Sequence, residues 1–208
     1  MMRTHAAAAL AVLILGVPLQ ASAFTFSNGG NASLDSGTFS SVAGATTIGF
    51  EGGLPTNALA GGLVVNYSGG AIVQGSAGGL NLAPANDVSK YWAIGPTHGD
   101  QGVMSFSAPL SYFGFDWGTP DAYNSITLMR GNAVLFSFTG TQPSNAGYLN
   151  IFADSPNEFF DKIVFNSTEN AFESDNHAFK IGVIPEPSTY AMMIAGLLAA
   201  GTLARRRA

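Results

Sequence analysis

Ser125-Ile-Thr-Leu-Met-Arg130, Gly131-Asn132 and Ala133-Val-Leu-Phe-Ser-Phe-Thr139 follow one another without interruption, two apolar runs around a glycine-asparagine pair. In Ile126-Thr127-Leu128 and in Val134-Leu135-Phe136-Ser137-Phe138 every second side chain can face one core, the period of an extended strand. Arg130-Gly131-Asn132-Ala133 between them reads as a tight hairpin turn, because Gly and Asn accept the positive φ that such turns demand. The unit is an antiparallel hairpin.

Working outward, the same grammar recurs as short apolar runs bounded by Gly, Asn, Pro and Ser. It predicts further strands at 46–50, 63–67, 71–74, 91–94, 103–107, 112–117, 148–152, 160–165 and 179–183, with Ile163-Val164-Phe165 again alternating. Residues 28–41 and 75–85 are rich in Gly, Ser, Asn and Ala and read as loops. No helix of useful length competes within this stretch, and no repeat of 20 to 50 residues suggests a solenoid or propeller. The expected fold class is all-β, a single antiparallel β-sandwich of jelly-roll-like form.

Composition agrees. Charged residues are 10% of the chain, well under the roughly 25% usual for soluble domains, and 26 of 208 residues are Gly. A helical bundle would need more Lys, Glu, Leu and Arg. The absence of Cys excludes disulfides, a thiol nucleophile and Cys-ligated metal, and a domain of about 160 residues buries enough surface to do without crosslinks. Between residues 24 and 184 there are twelve acidic residues against Lys90, Arg130, Lys162 and Lys180, a net charge of −8. Such a field repels polyanions, so nucleic acid is excluded as a partner.

The two ends read as processing signals. Met1-Met2-Arg3-Thr4-His5 precedes an apolar run to Leu19 and then Gln20-Ala21-Ser22-Ala23, the layout of a signal peptide with Ala21 and Ala23 at the cleavage site and Phe24 as the new N-terminus. At the other end Pro185-Glu186-Pro187 closes the domain, since two prolines cannot continue a strand. The 17 residues from 188 to 204 that follow would span about 25 Å as a helix, enough to cross a bilayer with local thinning. Arg205-Arg206-Arg207 then marks the cytoplasmic side, which places everything before Pro185 outside. The chain accordingly divides into a signal peptide (1–23), an extracellular β-sandwich domain (24–184) and a sorting segment (185–208).

This tail resembles the PEP-CTERM sorting signal of Gram-negative bacteria: Val183-Ile184-Pro185-Glu186-Pro187-Ser188 before the span and the three arginines after it. The resemblance implies that an exosortase, a membrane-embedded transpeptidase-like enzyme, recognises the Pro-Glu-Pro element and removes the tail. It further implies export through an inner-membrane-anchored intermediate to the cell surface or matrix of an organism that makes exopolysaccharide and biofilm. An uncleaved membrane anchor is the alternative that length and charge alone would fit.

Within the domain, Ser111-Tyr-Phe-Gly-Phe-Asp-Trp-Gly-Thr-Pro-Asp-Ala-Tyr-Asn-Ser-Ile-Thr-Leu128 looks like the strand-turn-strand centre of exosortase-dependent β-sandwich surface proteins. Asp116 and Asp121 are candidates to share a Ca²⁺, against the alternative that Asp121 caps the turn at Gly118-Thr119-Pro120. Ala171-Phe-Glu-Ser-Asp-Asn-His-Ala-Phe-Lys-Ile-Gly182 resembles the closing edge of carbohydrate-binding jelly rolls, whose carboxylates hold structural calcium. Glu173 and Asp175 lie on one side of an extended chain and are the matching pair here. Trp92 and Trp117, near turn residues, are the candidates for stacking on a sugar, although aromatic rings on strands usually serve packing. His98 and His177 lack metal-ligand spacing. There is no Gly-x-Ser-x-Gly elbow, no defensible Ser/His/Asp grouping and no phosphate loop, so no catalytic residue is assigned. The expected function is non-enzymatic, in the exopolysaccharide layer and without a cofactor. The alternatives are a carbohydrate-binding module supported by calcium, or a secreted glycan-active enzyme with an unrecognised carboxylate pair.

Overall fold

The computed structural model describes residues 24–141, 147–183 and 196–197. Among them fourteen strands run in chain order as β1 Phe24–Asn28, β2 Asn31–Ala32, β3 Thr38–Phe39, β4 Thr46–Ile48, β5 Ala58–Ala60, β6 Leu63–Gly69, β7 Ala71–Gln74, β8 Lys90–Ile94, β9 Gln101–Trp117, β10 Asn124–Arg130, β11 Ala133–Thr139, β12 Gly147–Ala153, β13 Phe160–Ser167 and β14 Phe172–Ile181. All of their pairings are antiparallel. The hairpin of β10 and β11 forms as the alternation predicts, from Ser125 opposite Thr139 to Arg130 opposite Ala133, with Gly131 at φ 57° in the turn.

The 17-residue strand β9 is the spine of the molecule. Its first half lies between β13, which carries β10 and then β11, and β6, which carries β5. Its second half lies between β12, which carries β1, and β14. The far side of β14 pairs with β8 at residues 172–174 and with β4 at residues 177–179, and β8 carries β7. Registers shift between Phe160 and Lys162 and between Lys180 and Ile181, on both flanks of Pro109. A proline has no N–H for a ladder and is tolerated where a bulge already interrupts one; here its carbonyl accepts the Gly182 N–H at 2.8 Å.

Side chains from the two halves of β9 and from their neighbours meet in one core. Phe165 of β13 packs edge-on against Phe115 (5.9 Å), Trp92 (5.3 Å) and Phe172 (5.3 Å), all from the other half. At the far end Phe24 and Phe26 of β1 pack against Phe136 at 5.5 and 5.6 Å. Each such side chain contributes about 1.5–3 kcal/mol on leaving water.

The antiparallel all-β class holds, with differences of detail. The two strands expected at 103–107 and 112–117 are one, and the last strand starts at Phe172, seven residues before its expected start, and stops at Ile181. The expected loop at 28–41 contains the small β2–β3 pair, and β1 precedes it. No helix among the described residues is long and apolar enough to cross a membrane. The expected signal peptide, with Ala21 and Ala23, and the expected span with Arg205, Arg206 and Arg207 lie outside the described residues.

Candidate functional site

After β9 the chain turns through Gly118-Thr119-Pro120-Asp121 into β10. That turn is held from beneath by Asn124, fully buried, whose side-chain amide donates to Thr119 O (2.9 Å) and whose Oδ1 accepts the Ser167 hydroxyl (2.6 Å). Two residues are thereby presented outward: the Tyr123 hydroxyl donates to Asp121 Oδ2 at 2.7 Å.

Across from them, residues 75–82 fold into a loop tied by Ala77 N to Asn81 O (2.9 Å) and by the Asn81 side-chain amide to Gly75 O (2.9 Å). Glu173, near the start of β14, joins the two walls. Its Oε1 accepts Leu82 N at 2.8 Å and its Oε2 accepts the Thr119 hydroxyl at 2.7 Å. Between the walls is a pocket of about 330 Å³ lined by the loop together with Thr119, Asp121, Tyr123, Asn170 and Glu173.

Burial raises the Glu173 carboxyl above its ordinary range; the bonds from Leu82 and Thr119 oppose that shift and the negative Asp121 adds to it. Tyr123 is pushed up to about 12 by desolvation and then by its bond to Asp121, so it is a neutral hydroxyl at physiological pH. The pocket therefore offers hydroxyl, amide and carboxylate groups. Such a set matches the hydroxyls of a polyol.

The four carboxylates named from the sequence as calcium candidates do not gather in the expected pairs. Asp121 and Glu173 line this pocket, whereas Asp116 and Asp175 face each other across β9 and β14 in the interior. Glu173 and Asp175 have different partners, Glu173 being held by Leu82 N and the Thr119 hydroxyl and Asp175 by the Ser89 hydroxyl. Asp116 Oδ2 accepts Thr38 N at 2.6 Å, and Asp175 Oδ2 accepts the Ser89 hydroxyl at 3.1 Å. Burial pushes Asp116 up to about 6 and Asp175 up to about 8. Among the described residues no group of three or more His, Asp or Glu side chains is arranged to hold a metal ion.

The tryptophans are corrected as well. Trp92 is 0% and Trp117 2% exposed, so neither ring offers a face to a sugar. As the largest side chains on their strands they fill the core: Trp92 Nε1 donates to Gly69 O at 3.0 Å, and Trp117 stacks on Phe172 at 4.8 Å. His177 is likewise interior, bonded to Tyr67 Oη and Ser174 Oγ at 3.0 Å each and ringed by Phe50, Phe113 and Phe165. Desolvation lowers it to about 3. This Ser-His-Tyr chain, invisible in the sequence, is buried throughout.

Thr119, Tyr123, Asn170 and Asp87 were not anticipated. Tyr123 meets Asp121 because the two share the turn closed by Asn124 N on Asp121 O. Asn170 comes to its place through tertiary bonds to Thr97 and Gly79, and Asp87, although it bonds Ser89 locally, meets Asp175 only through tertiary pairing.

Residues 183–208 match the family model of the PEP-CTERM protein-sorting motif, which takes in Pro185, Glu186, Pro187 and the three arginines. The motif implies export, a membrane-anchored intermediate and processing by an exosortase-type enzyme. No curated protein and no solved structure matches the chain.

Proposed function

We propose that residues 24–184 form a β-sandwich module of jelly-roll type that is displayed outside the cell without catalytic activity, and that holds exopolysaccharide in the pocket between the 75–82 loop and Asp121. The observation that carries this reading is the sorting motif, which begins at Val183, two residues after β14. It delivers the β body to the layer where polysaccharide is the abundant ligand. Polar groups fixed by their neighbours, as Asp121 is through its carbonyl by the Asn124 N–H and Tyr123 is by Asp121, favour sugar binding because their positions are set before the ligand arrives.

A glycan-active enzyme is the less favoured reading. A glycosidase needs one carboxyl free to give a proton and a second free to attack or to activate water. Glu173 is 1% exposed and both of its oxygens are engaged by donors from the pocket walls, which suits a brace rather than an acid or base.

Co-sedimentation with exopolysaccharide from the producing cells tests the proposal. The native protein is expected to pellet with the polymer, and the double variant Asp121→Ala, Tyr123→Phe to bind at least about tenfold more weakly. A native protein that stays in the supernatant would overturn the binding reading, and release of reducing ends from the polymer would overturn the non-catalytic one.

A further inference from the structure

We infer that Asp87 and Asp175 are the carboxylate ligands of a divalent-cation site of calcium type, buried beside β14 and reached through a second pocket lined by Ser36, Glu51, Ser89 and Asn176. Charge bookkeeping leads there. Asp87, Asp116 and Asp175 are only 6%, 2% and 2% exposed and influence one another electrostatically, Asp87 acting on both others. No Lys, Arg or His bonds to any of them among the described residues. Burying several carboxylates without a positive partner costs several kcal/mol per ion, which is why such groups take up protons or a metal.

Two oxygens show where the cation would sit. Asp87 Oδ2 and Asp175 Oδ1 are buried and accept no hydrogen bond, although the two carboxyl groups abut. Their other oxygens are committed: Asp87 Oδ1 to the Ser89 N–H (2.8 Å) and hydroxyl, and Asp175 Oδ2 to the same hydroxyl (3.1 Å). The two carboxyl groups meet at the Ser89 hydroxyl, and buried acceptors left without a donor there favour a positive charge.

Asp116 stands one step back. Its Oδ2 accepts Thr38 N, and its charge adds to the negative potential around Asp87. The remaining donors would be neutral oxygens such as the Ser89 hydroxyl, and water admitted through the pocket of about 270 Å³. An all-oxygen set with two carboxylates favours Ca²⁺ over zinc, which prefers His and Cys, and over Mg²⁺, which demands a near-ideal octahedron. A cation here would fasten β14 to residues 84–89 and, through the Ser36–Asp87 bridge, to the segment before β3.

The test uses the full chain in mild detergent, stripped with chelator and titrated calorimetrically with calcium chloride and with magnesium chloride. The expected result is one equivalent of Ca²⁺, Mg²⁺ at least tenfold weaker, and a calcium-dependent rise in the unfolding midpoint. Asp87→Asn and Asp175→Asn should each weaken Ca²⁺ at least tenfold, while Asp121→Asn in the sugar pocket binds it as the native chain does. Absence of both heat and midpoint shift in the native chain would overturn the site, as would undiminished affinity in the two variants. Should either variant fail to fold, amide exchange on the native chain decides: slowing at residues 84–89 upon calcium supports the site, and slowing confined to other segments refutes it. None of these outcomes depends on whether polysaccharide binds.

Discussion

His177 shows how much of the chemistry in this chain is turned inward. Its ring is fully buried among aromatic side chains and its two nitrogens are satisfied by Tyr67 and Ser174, so the neutral form is enforced and its pKa falls to about 3. Between that value and the ordinary 6.5 of an exposed imidazole, the unfolded chain carries a proton that the folded chain refuses. Stability from this group is therefore complete above pH 6.5 and is lost as the pH falls toward 3. Set against His177→Gln, which keeps polar atoms but does not titrate, the native protein should lose about 1.4 kcal/mol of unfolding free energy for each pH unit below 6.5. Urea titrations at pH 6.5 and 5 read the difference, and parallel behaviour of the two proteins would show that the imidazole is not held neutral. Carboxylates such as Asp175 titrate alike in both proteins and cancel in the comparison.

At the scale of the element, β9 explains what could and could not be read from the sequence. The β10–β11 hairpin was legible because alternation and turn chemistry are local. The union of 103–107 and 112–117 was not, because Ala108-Pro109 looks like a strand terminator. What overrides the proline is the change of partners on either side of it, from β13 and β6 to β12 and β14, a tertiary fact. Phe24-Thr-Phe-Ser27 alternates as plainly as the hairpin, so β1 was within reach of the same reasoning. The sorting tail was fully legible, being a linear signal, whereas the pocket was half legible: Asp121 and Glu173 were named but their meeting was not. Both tryptophans were misread for want of knowing which face of a strand would be covered. Trp92 also dictates a glycine in β9, because a methyl at Gly102 would overlap the indole and Ile94 Cδ1. Gly102→Ala is expected to cost about 1–3 kcal/mol by urea denaturation, as overpacked cores do. Gly78→Ala, where an added carbon meets open space, should stay within about 0.5 kcal/mol of native. Equal stability of the two variants would mean that the indole is not packed as described.

For the whole molecule the decisive relation is between the β body and its ends. β1 starts at Phe24, the residue that cleavage after Ala23 would make the first, and its ring already packs against Phe136 and Phe160. At the other end only residues 182–184 separate β14 from Pro185, a reach of about 10 Å even when extended. Mass spectrometry of the protein from producing cells should find a species that begins at Phe24 and lacks the arginine-rich end. Replacing Pro185, Glu186 and Pro187 with alanine should leave that end attached and the protein in the membrane fraction. An intact C-terminus on the native protein would contradict exosortase processing.

The last strand to be synthesised, β14, is an interior one, bonded to β9 on one flank and to β8 and β4 on the other. A polypeptide that threads outward from its amino end therefore delivers β1 to β13 while the slot they must close around stays vacant. Contacts this distant along the chain cannot form early, because their loop-closure entropy is repaid only when the final partner arrives. Closure of the sheet around the second half of β9 is therefore expected only after β14, the element just before the sorting segment, has emerged.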